Sequence, residues 1–230
     1  MTPTPAPAAA LLPTEQLAQP GLLLDLSRHN PRLAEMDCAH IPRFEHWLKT
    51  EMARAGCTWG LGGYGEDRAL YAMSSLFGAG QDIRSVHLGL DLWLPAGTAV
   101  FAPWDAVVHS IGNNTAHGDY GPTVLLEHRS ETGMPFFSLY GHLAADSIRQ
   151  LQPGQVVSAG DSIARIGQPH ENVGWVPHLH FQIMRDIGDA RGDFPGVCLA
   201  SQRARWLENC LDPLPVLRPY CPQLVAGTPS

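Results

Sequence analysis

Short runs of β-branched and aromatic residues, separated by Gly, Pro and Asn, dominate the chain from Ile83 onward. The runs recur about every ten residues, a spacing typical of an all-β domain. The pattern predicts strands at 86–92, 99–101, 105–111, 123–128, 136–142, 162–166 and 178–184. We therefore expect a mainly β fold, with its β domain at residues 81–185.

The first half of the chain carries one helical pattern, between Pro42 and Gly56. Proline is tolerated in a first helical turn, and glycine commonly follows the last one. Between them, apolar residues recur at helical spacing, at Phe44, Trp47, Leu48 and Met52. We predict a partly helical N-terminal extension over residues 21–80, with this one helix and an edge strand at 21–26.

A glycine-rich stretch at 60–65 matches the pattern of dinucleotide-binding turns. Such a turn requires a buried strand immediately before it, and the preceding residues read as the end of a helix followed by Cys57-Thr58-Trp59. We therefore interpret the stretch as a flexible loop near the functional site. The charged residues Glu66, Asp67 and Arg68 that follow it are predicted to be solvated surface.

The two ends of the chain have weaker patterns. Residues 1–20 are rich in Ala, Pro and Thr, which predicts a disordered tail. Residues 186–230 begin with a loop rich in Gly and Asp and end in a proline-rich stretch, with a helical pattern at 201–209 between them. We expect an irregular C-terminal extension packed on the β domain.

Composition excludes several classes of function. The 230 residues are 44% hydrophobic and 16% charged, which indicates a globular protein. The net charge of -7, with scattered basic residues, argues against nucleic acid as a partner. The five cysteines form no Cys-x-x-Cys pair, which favours a reducing compartment. Because no signal peptide or membrane-spanning segment is recognisable, we expect a cytoplasmic protein without membrane insertion; its oligomeric state is left open.

Candidate chemistry is concentrated in one run, which includes His178 and His180. Alternate side chains of a strand share a face, so these two imidazoles would project together, roughly 6 to 7 Å apart. Upstream, His87, Asp91 and His142 could complete a metal site. Eleven histidines are present in all, and each taken alone is most simply a surface or packing residue; the combination is what indicates a site.

A catalytic zinc typically has three protein ligands and an open position for water, and His87, Asp91 and His180 supply that number and type. In a straight strand His87 and Asp91 would lie about 13 Å apart, too far to share an ion. The segment must therefore bend, and Gly89 between them permits it. The two remaining histidines could take a proton from the zinc-activated water or stabilise an anionic intermediate of amide hydrolysis.

These motifs resemble those of the lysostaphin-like zinc metallopeptidases, which cleave peptide crosslinks of bacterial cell walls. The resemblance covers residues 83–184, under half of the chain, and rests on segments found in the family's order: 87–91 (HLGLD), 100–103 (VFAP), 140–143 (YGHL), 154–157 (GQVV) with Gly160-Asp161, and 177–181 (PHLHF). It implies an antiparallel β-sheet or sandwich core with an open groove. It also implies one Zn²⁺ per chain held by His87, Asp91 and His180, with His142 and His178 as the catalytic pair.

The resemblance implies a zinc metalloendopeptidase that acts on a peptide, by default a peptidoglycan-type crosslink. Family members are usually exported, and some use a tyrosine shortly before the first zinc ligand; here the nearest is Tyr71, too distant to assign. The chain also resembles peptidase-like segments within larger bacterial proteins that carry kinase-like and aminotransferase-like domains. Two alternatives therefore stay open: a catalytically silent binding or regulatory module of the same fold, and a zinc amidase acting on a small cytoplasmic substrate.

Overall fold

The computed structural model describes residues 5–34, 36, 40–68, 70–71, 77–78 and 83–227. Within these ranges the helices are α1 Thr14–Leu17, α2 Pro31–Ala34, α3 Ile41–Arg54, α4 Ala145–Ile148, α5 Arg203–Asn209 and α6 Leu214–Leu217. The strands are β1 Gly21–Leu24, β2 Trp59–Gly62, β3 Arg84–His87, β4 Leu90–Trp93, β5 Ala99–Phe101, β6 Ala106–Asn114, β7 Gly121–Arg129, β8 Pro135–Gly141, β9 Val156–Val157, β10 Ser162–Arg165, β11 Leu179–Met184, β12 Val197–Leu199, β13 Cys210–Leu211 and β14 Leu224–Ala226.

Ten of the strands in the described ranges form one sheet, in the order β14-β1-β2-β4-β11-β8-β7-β6-β9, with β13 paired to β11 beside this path. Every pairing from β2 to β9 is antiparallel, whereas β1 runs parallel to both β2 and β14. Two further antiparallel pairs, β5 with β10 and β3 with β12, lie outside this sheet. The prediction of a mainly β fold with an antiparallel core is confirmed.

The predicted strand at 86–92 is divided where the sequence requires a bend. Strand β3 ends at His87 and β4 begins at Leu90. Gly89 lies against the neighbouring strand, and a Cβ atom there would come within 2.6 Å of the carbonyl oxygen of Phe181. Glycine is therefore needed here for close packing.

The predicted helix is also confirmed, as α3. Its buried residues Phe44 and Leu48 pack in a cluster with Leu22, Leu24 and Trp93. The chain leaves the helix through Gly56, which has φ of +66°, a conformation that favours glycine. The extension also contains the four-residue helix α2, so the expectation of a single helix in it was incomplete.

The prediction of a disordered tail was wrong for residues 5–20; residues 1–4 lie outside the described ranges. Leu11, Leu12 and Leu17 are fully buried in the main core. The segment also makes backbone hydrogen bonds: the amide of Ala8 donates to the carbonyl of Pro103, 2.9 Å away. Composition misled here because prolines are compatible with an extended segment, and the leucines supply enough apolar surface to hold it.

The prediction of a flexible loop at 60–65 was wrong in its first half, since Trp59–Gly62 forms β2 between β1 and β4. A Cβ atom on Gly62 would lie 2.9 Å from the ring of Trp93, so the absence of a side chain here leaves room for that indole.

The strand predicted at the edge of the sheet forms as β1, but it is not an edge strand, because β14 pairs with it on one side and β2 on the other. The C-terminal extension is more regular than expected, because it contains α5, α6 and three short strands. Among the described residues, no helix is long and apolar enough to cross a membrane.

Candidate metal centre

Strand register brings the predicted site residues together. Strand β11 lies between β4 and β8, and His180 is directly opposite Asp91 on one side and Gly141 on the other. His142 follows β8 at once, so it reaches the same end of the sheet. The bend at Gly89 brings His87, the last residue of β3, beside Asp91 near the start of β4.

Three buried donor atoms converge at this point. His180 Nδ1 lies 3.0 Å from Asp91 Oδ1 and 3.1 Å from His87 Nε2, and His87 Nε2 lies 3.3 Å from Asp91 Oδ1. All three residues are at most 4% exposed. His87, Asp91 and His180 are also the one group of metal-ligand type found among the described residues with its donor atoms within 4.8 Å of one another.

Hydrogen bonds on the far side of each imidazole determine which nitrogen carries the proton. His87 Nδ1 lies 3.0 Å from the carbonyl oxygen of Gly63, so it must be the protonated nitrogen. His180 Nε2 lies 3.1 Å from Gln182 Oε1, whose amide is oriented by donating to the carbonyl of Pro195. Both imidazoles therefore direct an unprotonated nitrogen toward the carboxylate of Asp91.

Burial, reinforced by the nearby Arg68 guanidinium, lowers the pKa of His87 to about 4, so the ring is neutral near pH 7. Burial disfavours ionisation of Asp91, but His87 and Arg68 outweigh it and hold the pKa of that carboxyl well below its usual range. Three electron-pair donors thus face one another without a proton between them, an arrangement that a shared cation stabilises. Ligands at about 2.0–2.1 Å from a tetrahedral zinc lie about 3.3 Å apart, which agrees with the observed separations.

His178 borders the three donors. Its Nδ1 donates to the carbonyl of Val176 over 2.7 Å, which leaves Nε2 unprotonated at 3.8 Å from Asp91 Oδ1. The indole of Trp93 stacks on its ring, with centroids 5.5 Å apart. Burial lowers the pKa of His178, so the ring is a neutral proton acceptor near pH 7.

His142 lies beside His178, with ring centroids 4.1 Å apart. It has φ of +62°, which is uncommon outside glycine, and its backbone is held there by the carbonyl of Tyr120 and the amide of Gly167. Burial and the neighbouring His178 and His180 lower its pKa well below the usual value. Its Nδ1 is buried and has no hydrogen-bond partner among the described residues. The five side chains named from the sequence are therefore assembled in one place.

Sequence reasoning missed the groups behind the ligands. Arg68, predicted as solvated surface, is completely buried, because it pairs with the carboxylates of Asp91 and Glu66. No periodicity marks it, since it follows a turn. Gln182 did carry a signal: it is a polar residue two positions after His180 in an otherwise apolar strand, so it shares the face of that ligand.

Tyr71, left unassigned from the sequence, is buried, and its hydroxyl accepts a hydrogen bond from Arg68 over 3.2 Å. Its ring centroid lies 6.4 Å from that of His87. Outside the site, His128 is a packing residue: it is fully buried, and its Nε2 bonds to the hydroxyl of Ser138.

A recess of about 300 Å³ opens beside the histidines. The aromatic rings of Trp93 and Trp175 line it, and Phe44 from α3 contributes to its wall, so the N-terminal extension shapes the site. The indole of Trp175 donates to the carbonyl of Asp119 over 3.1 Å and thereby joins two loops across the recess. The space accommodates a short peptide segment or a small molecule.

The sequence of residues 85–191 matches Peptidase family M23. The chain is 32% identical over 112 residues to the peptidoglycan DD-endopeptidase ShyA of Vibrio cholerae, and 32% identical over 96 residues to an uncharacterized metalloprotease of Haemophilus influenzae. These alignments cover 47% and 42% of this chain and only 23% and 18% of the respective relatives.

Among solved structures, the catalytic domain of lysostaphin from Staphylococcus simulans aligns with 75% of this chain and 96% of its own, at 22% identity and a TM-score of 0.44. The family match includes all five of the site residues described above. Over residues 85–191, the chain carries a domain of peptidase family M23.

Proposed function

We propose that the chain is a zinc-dependent peptidase that hydrolyses an amide bond beside His178 and His142. His87 Nε2, Asp91 Oδ1 and His180 Nδ1 would hold one zinc ion per chain. The observation that carries the proposal is the convergence of these three unprotonated donors within 3.3 Å of one another. It is independent of the family match.

When bound, zinc supplies a Lewis acid that polarises a carbonyl group and lowers the pKa of water. His178 Nε2, kept unprotonated by the bond from Nδ1 to Val176, accepts the proton of the attacking water and passes it to the departing amine. The ring of His142, 4.1 Å from that of His178 between centroids, would stabilise the anionic intermediate. Trp93 restrains the ring of His178 by stacking on it.

For the substrate, we propose a peptide of the peptidoglycan-crosslink type. The support is the match to a relative named as a peptidoglycan DD-endopeptidase, of which this chain spans about a quarter. A small amide is the second candidate. It is favoured by the limited volume of the recess and by Phe44, a part of its wall that comes from outside the family match.

The test combines metal content with substrate digestion. Zinc per chain is measured by elemental mass spectrometry on protein purified without added metal, and we expect about one. The protein is then incubated with purified sacculi, short peptides containing glycine and D-alanine, and non-peptide amides, each with and without a chelator. The exposed His46 provides a matched control, as His46→Ala removes an imidazole remote from the site.

Chelator-sensitive cleavage of sacculi or peptides supports the leading proposal. Cleavage of non-peptide amides alone favours the small-substrate amidase. One zinc per chain without any cleavage would favour a binding or regulatory module of the same fold. A chain that takes up no zinc would contradict the proposed metal centre itself.

A further inference from the structure

The guanidinium group of Arg68 is completely buried behind the metal centre. Its Nη1 donates to Asp91 Oδ2 and to the hydroxyl of Tyr71, its Nε donates to Glu66 Oε2 over 2.8 Å, and its Nη2 donates to the carbonyl of Gly63. Three groups thus share one buried cation with a metal-ligand carboxylate. The residue lies outside the part of the chain that matches the peptidase family.

The two oxygens of Asp91 have different partners. Oδ1 faces the ligand nitrogens of His87 and His180, at 3.3 and 3.0 Å. Oδ2 points the other way and is occupied by Arg68. A carboxylate held through one oxygen in this way offers the metal a single donor atom in a fixed direction.

Arg68 is itself held in place. Glu66 uses both carboxylate oxygens: Oε2 accepts from Arg68 Nε, and Oε1 accepts from the backbone amide of Leu26 over 2.8 Å. Glu66 therefore connects the guanidinium to the residue that follows β1 by two positions. Since an arginine presents several donors in a rigid plane, fixing its Nε edge also directs the Nη1 that contacts Asp91.

The same segment also orients a second ligand, since the carbonyl of Gly63 accepts from His87 Nδ1. Gly63 and Arg68 thus contact the far sides of His87 and Asp91, whereas His180 is oriented from within β11 by Gln182. The outer partners of two of the three ligands come from the N-terminal extension. The extension is for this reason part of the metal centre.

We propose that Arg68 is a positioning residue that keeps Asp91 a one-oxygen ligand of the metal, and that Glu66 acts through Arg68. The inference rests on the proposed function for the presence of the metal. Arg68 touches neither the metal position nor the substrate recess, so it influences metal binding through Asp91.

The experiment compares wild type, Arg68→Met, Arg68→Lys and Glu66→Gln. Zinc affinity is measured by competition with a chromophoric chelator, and ligand geometry by the visible absorption of the Co²⁺-substituted protein. Arg28→Met is the matched control, because Arg28 makes an ion pair with Asp67, next to Glu66, on the half-exposed side of the same segment. Circular dichroism of each variant in chelator reports whether the metal-free fold is retained.

We expect Arg68→Met to weaken zinc binding by about 10- to 100-fold and to change the Co²⁺ spectrum, as removal of an outer-shell partner typically does. Arg68→Lys should recover part of the affinity, because an ammonium can reach one oxygen but lacks the planar fork. Glu66→Gln should show a smaller loss with the same spectral change, and Arg28→Met should match wild type. If Arg68→Met does not fold, the zinc affinities and Co²⁺ spectra of Arg68→Lys and Glu66→Gln decide the question.

Folded Arg68 and Glu66 variants with wild-type zinc affinity and an unchanged Co²⁺ spectrum would overturn this inference alone. The same loss of affinity in Arg28→Met would also overturn it, since the effect would then come from general loosening of the segment. Failure of the wild-type protein to bind either metal would overturn the proposed function together with this inference.

Discussion

His180 and Asp91 lie directly opposite each other on the antiparallel strands β11 and β4, with His180 Nδ1 3.0 Å from Asp91 Oδ1. Opposed residues in such a pair have side chains on the same face of the sheet, about 5 Å apart at Cβ. Two donor atoms separated by 89 residues in sequence are thereby brought to one site by backbone pairing. The strands supply a rigid base, which is how accurate ligand geometry is usually maintained.

The first prediction separates metal binding from catalysis. His87→Ala and His180→Ala should each lose both zinc and activity, because each removes a donor atom. His178→Ala should retain zinc and lose about 10²- to 10⁴-fold in kcat, the usual contribution of a general base. Elemental analysis and rates of peptide cleavage check this, with His46→Ala as the control; zinc loss in all three site variants would contradict the assigned roles.

The second prediction concerns Gln182, whose Oε1 accepts from His180 Nε2. Gln182→Leu leaves that buried N–H and the carbonyl of Pro195 without their partner, so we expect about 10- to 100-fold weaker zinc binding. Gln182→Glu keeps an acceptor for His180 and should retain more of the affinity. Chelator competition measures both, and equal affinities for wild type and Gln182→Leu would show that this contact does not orient the ligand.

The third prediction tests the bend between β3 and β4. In Gly89→Ala the new Cβ would lie 2.6 Å from the carbonyl oxygen of Phe181 and 2.9 Å from the His180 ring. We expect a loss of about 1–3 kcal/mol in the free energy of unfolding, as for other overpacked sites, together with weaker zinc binding. Gly63→Ala is the control, since its Cβ meets nothing closer than 4.0 Å. Urea denaturation of the two variants should separate them clearly, and similar midpoints would refute the argument.

The fourth prediction is a pH dependence that arises away from the metal centre. His128 bonds to Ser138 and to the carbonyl of Asp105, and burial lowers its pKa to about 4. Above pH 6.5 the folded and unfolded chains both hold this ring neutral; as the pH falls from 6.5 to 4, the unfolded chain takes up the proton first. Stability is therefore lost on acidification, by roughly 2–3 kcal/mol between pH 7 and pH 4.5.

His128→Gln removes this titration, so the difference in unfolding free energy between wild type and variant should shrink by that amount over the same pH range. Measuring both proteins in chelator cancels the contributions of the site histidines, which the two share. Parallel stability curves for the two proteins would exclude His128 as the source.

The site residues could be named from the sequence because their chemistry is local. The spacing of His87 and Asp91 requires a bend in the chain if both are to bind one ion. The spacing of His178 and His180 places both side chains on one face of a strand. The strand pattern and the α3 helix are local as well, since side-chain periodicity reflects a single element packing on a core. A resemblance to known motifs could therefore identify all five residues before their positions were seen.

What only the tertiary structure decided is how distant segments complete the site. Arg68 was interpreted as solvated because an isolated charge is costly to bury, and its partners Asp91 and Tyr71 become neighbours only through folding. The tail around Leu12 was interpreted as disordered because its proline content is visible in sequence, whereas the surface that buries it is not. Short motifs can be recognised from residues that are near one another in the sequence. Burial and ion pairing depend on contacts between residues far apart in the chain, and only the fold specifies those contacts.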